Sequence, residues 1–178
     1  MAIRLNHTIV AAHDKAASAT FLTELLGLPP PVLLGPFAIV RIGETSLDFM
    51  NVEDYRGADA EITSQHYAFL VSELEFDAIF ARIRERRLPY WADPYRRERE
   101  QINGWDDGRG VYFEHPNGHL LEVITRPYGS GGTTASHPHP LVAQTLQPIT
   151  QDAHHSDHPV KNDRAGLAAA DRPHGKGA

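Results

Sequence analysis

Residues Val111–Val123 read VYFEHPNGHLLEV. Two apolar runs flank Pro116-Asn117-Gly118, so the stretch reads as strand, tight turn and strand, with glycine where the turn requires it. One residue breaks the second run. Glu122 stands among Leu120, Leu121, Val123 and Ile124. A carboxylate in such a strand is costly to bury unless it is hydrogen-bonded, paired or bound to a cation.

Working outward, the hairpin (Gly110–Glu114 and His119–Thr125) closes a longer pattern. His66–Val71 (HYAFLV) is a β-rich run. Ser72 and Glu75 then form a capping box before SELEFDAIFARIRERR, where Phe76, Ile79, Phe80 and Ile83 share one helical face. Leu88–Ala92 reads as a short strand. The same order occurs earlier in the chain. Leu5–Ala12 is a strand. Asp14 caps a helix whose Ala17, Phe21, Leu22, Leu25 and Leu26 follow helical spacing, and Gly27 suits its C-terminal stop. Phe37–Ile42 and Ser46–Val52 follow as strands. Each copy reads as βαβββ or close to it, with Glu53–Ser64 as linker. The expected fold is α+β: two βαβββ modules forming a curled mixed-sheet cup, with the helices on the outer face and the ligand inside the cup.

The repeat aligns four polar residues in apolar strands. His7 and His66 open the first strand of each copy, and Asp48 (LDFM) is the counterpart of Glu122 (LEVI). Two histidines and a carboxylate make a facial N,N,O set for a divalent metal with positions left open for substrate. The 178-residue chain contains no cysteine. Thiolate sites and disulfides are therefore excluded, leaving Fe2+, Mn2+, Ni2+ or Zn2+ as candidate ions. His119 lies an odd number of residues from Glu122 and is expected on the opposite face.

The formal net charge of −6 argues against nucleic-acid binding. No signal-peptide pattern or membrane-length apolar run is present, and a cytoplasmic location is expected. Composition shifts near Gly129. The following residues are rich in Gly, Pro, Ser, His and Asp and lack aromatics, so 1–128 is expected to be the folded domain and 129–178 a disordered tail, with Leu141–Ile149 touching the core. Six of the eleven histidines lie in that tail.

LNHTIV, QHYAFLV and VYFEHPNGHLLEV resemble the vicinal oxygen chelate superfamily, which includes glyoxalase I, bleomycin-resistance proteins, type I extradiol dioxygenases and fosfomycin-resistance enzymes. The resemblance covers about 1–128. It implies a metal held by His7, His66 and Glu122, with Asp48 as a possible fourth ligand, and a small oxygen-bearing substrate. It also implies a homodimer, in which modules are sometimes exchanged so that His7 completes a partner's site.

Among the reactions, the ring-cleaving extradiol dioxygenase is the favoured expectation, with Fe2+ as its metal. Tyr112 stands where those enzymes carry an active-site tyrosine. His115 replaces a small polar residue of their signature, and Ile102, Asn103 and Gly104 occupy a region where a histidine is usual. Tyr112 and His115 are the catalytic candidates. Alternatives are a fosfomycin-resistance thiol transferase or epoxide-opening enzyme, a glyoxalase I-type isomerase, and a metal-free drug-sequestering protein. Against the fosfomycin-resistance reading, Ile9 and Asn51 replace the expected threonine and glutamate. The charged loop Asp93–Arg109 is read as a flap with Gly104 and Gly108 as pivots, and Arg96, Arg97 and Trp105 as substrate-loop candidates.

Overall fold

The structure, a computed structural model, describes residues 3–141. The first module is β1 (His7–Ala12), α1 (Lys15–Leu26), β2 (Val32–Leu34), β3 (Phe37–Ile42) and β4 (Thr45–Asn51). A short helix, α2 (Val52–Arg56), starts the connection to the second module. That module is β5 (His66–Leu70), α3 (Glu73–Glu85), β6 (Tyr90–Trp91), β7 (Gly110–Glu114) and β8 (Leu120–Ile124). Each module is therefore a βαβββ unit. The two sheets have the orders β1-β4-β3-β2 and β5-β8-β7-β6, and neither closes into a barrel. In each, the first strand lies parallel to the last and the remaining pairs are antiparallel.

The helices begin and end where their capping chemistry dictates. Asp14 accepts from the Ala17 amide at 2.9 Å, and Gly27 ends α1 at φ 72°. Both halves of the Ser72–Glu75 capping box are formed at the start of α3. Each sheet turns alternate residues toward its helix, as a pleated strand must. Val10, Ala12, Val40, Leu47 and Phe49 meet Leu22 and Leu25 of α1. Phe69, Val111, Phe113, Leu121 and Val123 meet Phe76, Ile79 and Ile83 of α3.

The opposite faces carry the polar residues, and strand register shows that they correspond. In the first sheet, Ile9 pairs with Asp48, two residues beyond His7. In the second, Ala68 pairs with Glu122, two residues beyond His66. His7 and Asp48 therefore share one face, as do His66 and Glu122. Tyr112 pairs with Glu122 across β7 and β8 and joins that face. His119 points the other way. Its Nε2 lies 2.8 Å from the Ala11 carbonyl, tying the second module to the first.

Two elements escaped the sequence pattern. β2 is three residues long, follows Pro29-Pro30-Pro31 and is exposed throughout, so no alternation marked it. α2 occupies the start of the expected linker. The fold also continues past Tyr128, where the sequence placed the domain boundary. Gly129 donates to Asp106 Oδ2 at 2.8 Å, and the Ser136 and His137 amides donate to Asp107 at 2.9 and 3.0 Å. The carboxylates of buried Asp106 and exposed Asp107, rather than apolar burial, anchor this segment, which is why its composition gave no sign of order. Leu141 is on the domain surface. The rest of Leu141–Ile149, and residues 142–178 as a whole, lie outside the described residues.

Candidate functional site

Glu122 is 0% exposed, yet it is not orphaned. The Tyr128 hydroxyl lies 2.5 Å from both carboxylate oxygens and donates to them. Tyr112 lies 2.7 Å from that hydroxyl. Because Tyr128 gives its proton to the carboxylate, Tyr112 is the donor in the second bond. His66 Nε2 stands 3.2 Å from Glu122 Oε2, and its Nδ1 is 3.1 Å from the Leu120 carbonyl. The Glu122 carboxylate beside it raises the pKa of His66 above the usual histidine value, chiefly through this hydrogen bond. Burial, followed by Glu122, pushes the Tyr112 phenol far above the usual tyrosine range, and the same causes raise Tyr128.

Of these groups, His66, Tyr112 and Tyr128 line one side of a cavity of about 390 Å³ that Arg97, Trp105 and His139 help enclose, with Glu122 buried behind them. Trp105 packs edge-on against Tyr112 and His139, at centroid distances of 6.3 and 4.8 Å. Aromatic and imidazole rings make up half of the described lining residues, and Arg97 is the one arginine among them, beside the carboxylates Asp93 and Glu98.

The loop Asp93–Arg109 forms another side and is fastened rather than free. Asp93 accepts from the Tyr95, Arg97 and Glu98 amides at 2.8–2.9 Å. Asn103 exchanges backbone bonds with Gly110 and donates its side-chain amide to the Ala92 carbonyl. A Cβ at Gly110 would lie 2.5 Å from the Asn103 side chain, so glycine is needed there. Asn103, the residue standing near the missing histidine of the dioxygenase signature, is thus a structural tie. Arg96 also departs from its expected place. It pairs with Glu114 and covers the Trp91 ring, leaving Arg97 as the cavity arginine.

His115 is not on the cavity wall. It is buried between the modules, stacked on Phe49 and edge-on to Phe21, with Nε2 3.2 Å from the Ser18 carbonyl. Burial lowers its pKa to about 4. Its strand parity and its place before Pro116 turn it toward α1, so it joins modules instead of meeting substrate.

His7 and Asp48 lie together on the first sheet, apart from the His66–Glu122 pair. The His7 ring is exposed and bonds only Asn6 Oδ1, at 2.8 Å, among the described residues. Asp48 accepts from Ser46 Oγ at 2.7 Å. Among the described residues of one chain, no three His, Asp or Glu side chains converge as a metal set would require. Sequence reasoning missed Tyr128 and His139. Tyr128 was visible only as the last aromatic residue, six positions after Glu122, and His139 was hidden in the presumed tail.

Paired βαβββ modules with a buried carboxylate–histidine pair facing an aromatic cavity define a vicinal-oxygen-chelate type of protein. The comparisons agree. The model of the Glyoxalase/Bleomycin resistance protein/Dioxygenase superfamily matches residues 4–123, and the chain belongs to that superfamily. Its structure is similar to those of oxidase ChaP-H2 (59% identity, TM-score 0.69, 74% of this chain and 100% of that one) and oxidase ChaP-H1 (53%, 0.67, 72% and 100%). The metallothiol transferase FosB of Shouchella clausii is 28% identical over 121 residues, covering 68% of this chain and 79% of the relative. No helix among the described residues is long and apolar enough to cross a membrane.

Proposed function

We propose that this protein is a metal-dependent oxygenase, a ring-cleaving enzyme of the extradiol type acting on a small aromatic molecule with adjacent oxygens. The observation that carries the reading is Glu122, fully buried behind the cavity wall and paired with His66, which lines the cavity. Both donors are hard or borderline and suit Fe2+, with Mn2+, Ni2+ and Zn2+ as alternatives. They supply one nitrogen and one oxygen, so the set needs a third member. His7 has the matching register in the first module, and a second copy of the chain would bring it there. The exposed apolar side chains Ile9, Val32 and Leu34, on the same face as His7, favour such pairing. When bound, the ion would act as a Lewis acid toward vicinal substrate oxygens.

The chain's own groups do the rest. Tyr128 and Tyr112 hold a line of hydroxyl protons beside the carboxylate, within reach of a substrate oxygen at that face. Trp105 and the surrounding rings exclude water and accept a flat molecule. Asp48 is engaged by Ser46 and receives no ligand role here. Identity supports the oxidase reading over the fosfomycin one: 53% and 59% against 28%. So does the cavity's single arginine, since gripping a phosphonate calls for several cations.

The test is metal analysis of anaerobically purified protein followed by a catechol panel watched for coloured ring-fission products. Iron near one per chain with ring fission, both abolished by Glu122→Gln or His66→Ala, is expected. Thiol-dependent epoxide opening with no ring fission would replace this reading by the transferase one.

A further inference from the structure

His139 is 3% exposed and lines the cavity, yet its Nε2 is buried and has no hydrogen-bond partner among the described residues. The segment that carries it is held from several sides. The Asp106 amide donates to the His137 carbonyl at 2.7 Å, and Asp106 Oδ1 accepts from the His139 amide at 3.4 Å. The ring is packed between Tyr128 (centroids 4.0 Å apart) and Trp105 (4.8 Å). Its other nitrogen, Nδ1, accepts from the Leu141 amide at 3.1 Å. A backbone N–H can only donate, so Nδ1 bears no hydrogen and the ring's proton resides on Nε2. The result is a buried N–H donor on a residue of the cavity wall, with no acceptor among the described residues. Such a group is costly to leave unsatisfied, and an occupant of the cavity can supply the acceptor.

We propose that His139 Nε2–H is a ligand-recognition group, donating to an acceptor oxygen of a flat, largely apolar ligand seated in the cavity that Trp105, Tyr112, Tyr128 and His139 line. This deepens the function proposed above by defining one substrate contact and the acceptor chemistry it selects. It does not require a metal. The tautomer also separates His139 from a ligand set, because a protonated Nε2 cannot coordinate an ion.

The experiment compares 1-tetralone with tetralin, two bicyclic molecules differing by one carbonyl and lacking vicinal oxygens. Binding is measured by equilibrium dialysis on metal-loaded and chelator-treated full-length protein. Wild-type protein is expected to bind the ketone roughly three- to tenfold more tightly than the hydrocarbon, the effect of one net hydrogen bond. His139→Phe keeps a ring between Trp105 and Tyr128 and should abolish that preference with metal content unchanged. Nitrogen-15 NMR of the wild-type imidazoles, independent of any variant, should show an Nε2-protonated tautomer whose N–H shifts with tetralone and not with tetralin. No ketone preference in wild-type protein, including no binding at all, would overturn the proposal. So would an unchanged preference in His139→Phe, or loss of metal in that variant. Failure of the metal or ring-cleavage reading would leave the ketone preference intact, so the two are distinguishable.

Discussion

Replacing Tyr128 with phenylalanine removes the hydroxyl that satisfies Glu122. That hydroxyl lies 2.5 Å from both carboxylate oxygens, a charge-assisted bond of the kind worth roughly 1.5–3 kcal/mol. Tyr128 is 44% exposed, so water can approach the vacated position, and the lower half of that range applies to this bond. Tyr112 is 2% exposed and loses its acceptor at the same time, which adds about 1 kcal/mol for a buried, unpaired hydroxyl. The expected loss is about 2.5–3 kcal/mol. Tyr112→Phe deletes a neutral bond and should cost about 1 kcal/mol, and the double variant should lose less than the sum because the two hydroxyls form one line. Urea denaturation of chelator-treated protein reads these values as midpoint shifts at constant slope. A Tyr128→Phe variant within about 0.5 kcal/mol of wild type would show that the Glu122 carboxylate does not depend on this hydrogen bond, and the account of how the strand tolerates it would fail.

Three further outcomes are expected. His115 titrates near 4 when folded and 6.5 when unfolded. The unfolded chain therefore takes up the proton first, and stability is complete above about pH 6.5 and falls toward pH 4, by roughly 3 kcal/mol across the window. His115→Gln, which keeps a donor for the Ser18 carbonyl, should flatten that slope in denaturation measured at stepped pH, and parallel profiles would refute the assignment. Arg97→Ala should weaken binding of an anionic or oxygen-bearing aromatic probe in calorimetry while Arg96→Ala does not, and equal effects would contradict the cavity assignment. If His7 of a second copy completes the metal set, His7→Ala and Glu122→Gln proteins, each metal-poor alone, should regain bound metal when unfolded and refolded together. No recovery in the mixture would argue against a shared site.

The repeat was legible in the sequence because its signals are local. Asp14, Gly27 and the Ser72–Glu75 pair mark helix ends through contacts within a few residues. Apolar spacing marks which strand face is buried. Glu122 announced itself because a carboxylate contradicts the pattern around it. Tyr112 was placed beside it by hairpin geometry alone. His115 misled because a conspicuous residue next to a motif looks chemical, and only packing of α1 against the second module reveals it as a tie between modules. Arg96 was misplaced for a similar reason: loop sequence names the charges and not the partners they find.

The chain's order of residues by itself determined two βαβββ modules and the equivalence of His7 with His66 and of Asp48 with Glu122, because strand period and hairpin register follow from neighbours in sequence. Tertiary structure decided which of these groups meet. It brought Tyr128 onto Glu122 and His139 onto Tyr128 through backbone amides that donate to Asp106 and Asp107, and left His7 on a separate sheet in the single chain. Those outcomes depend on contacts between residues far apart along the chain, and no local periodicity records them.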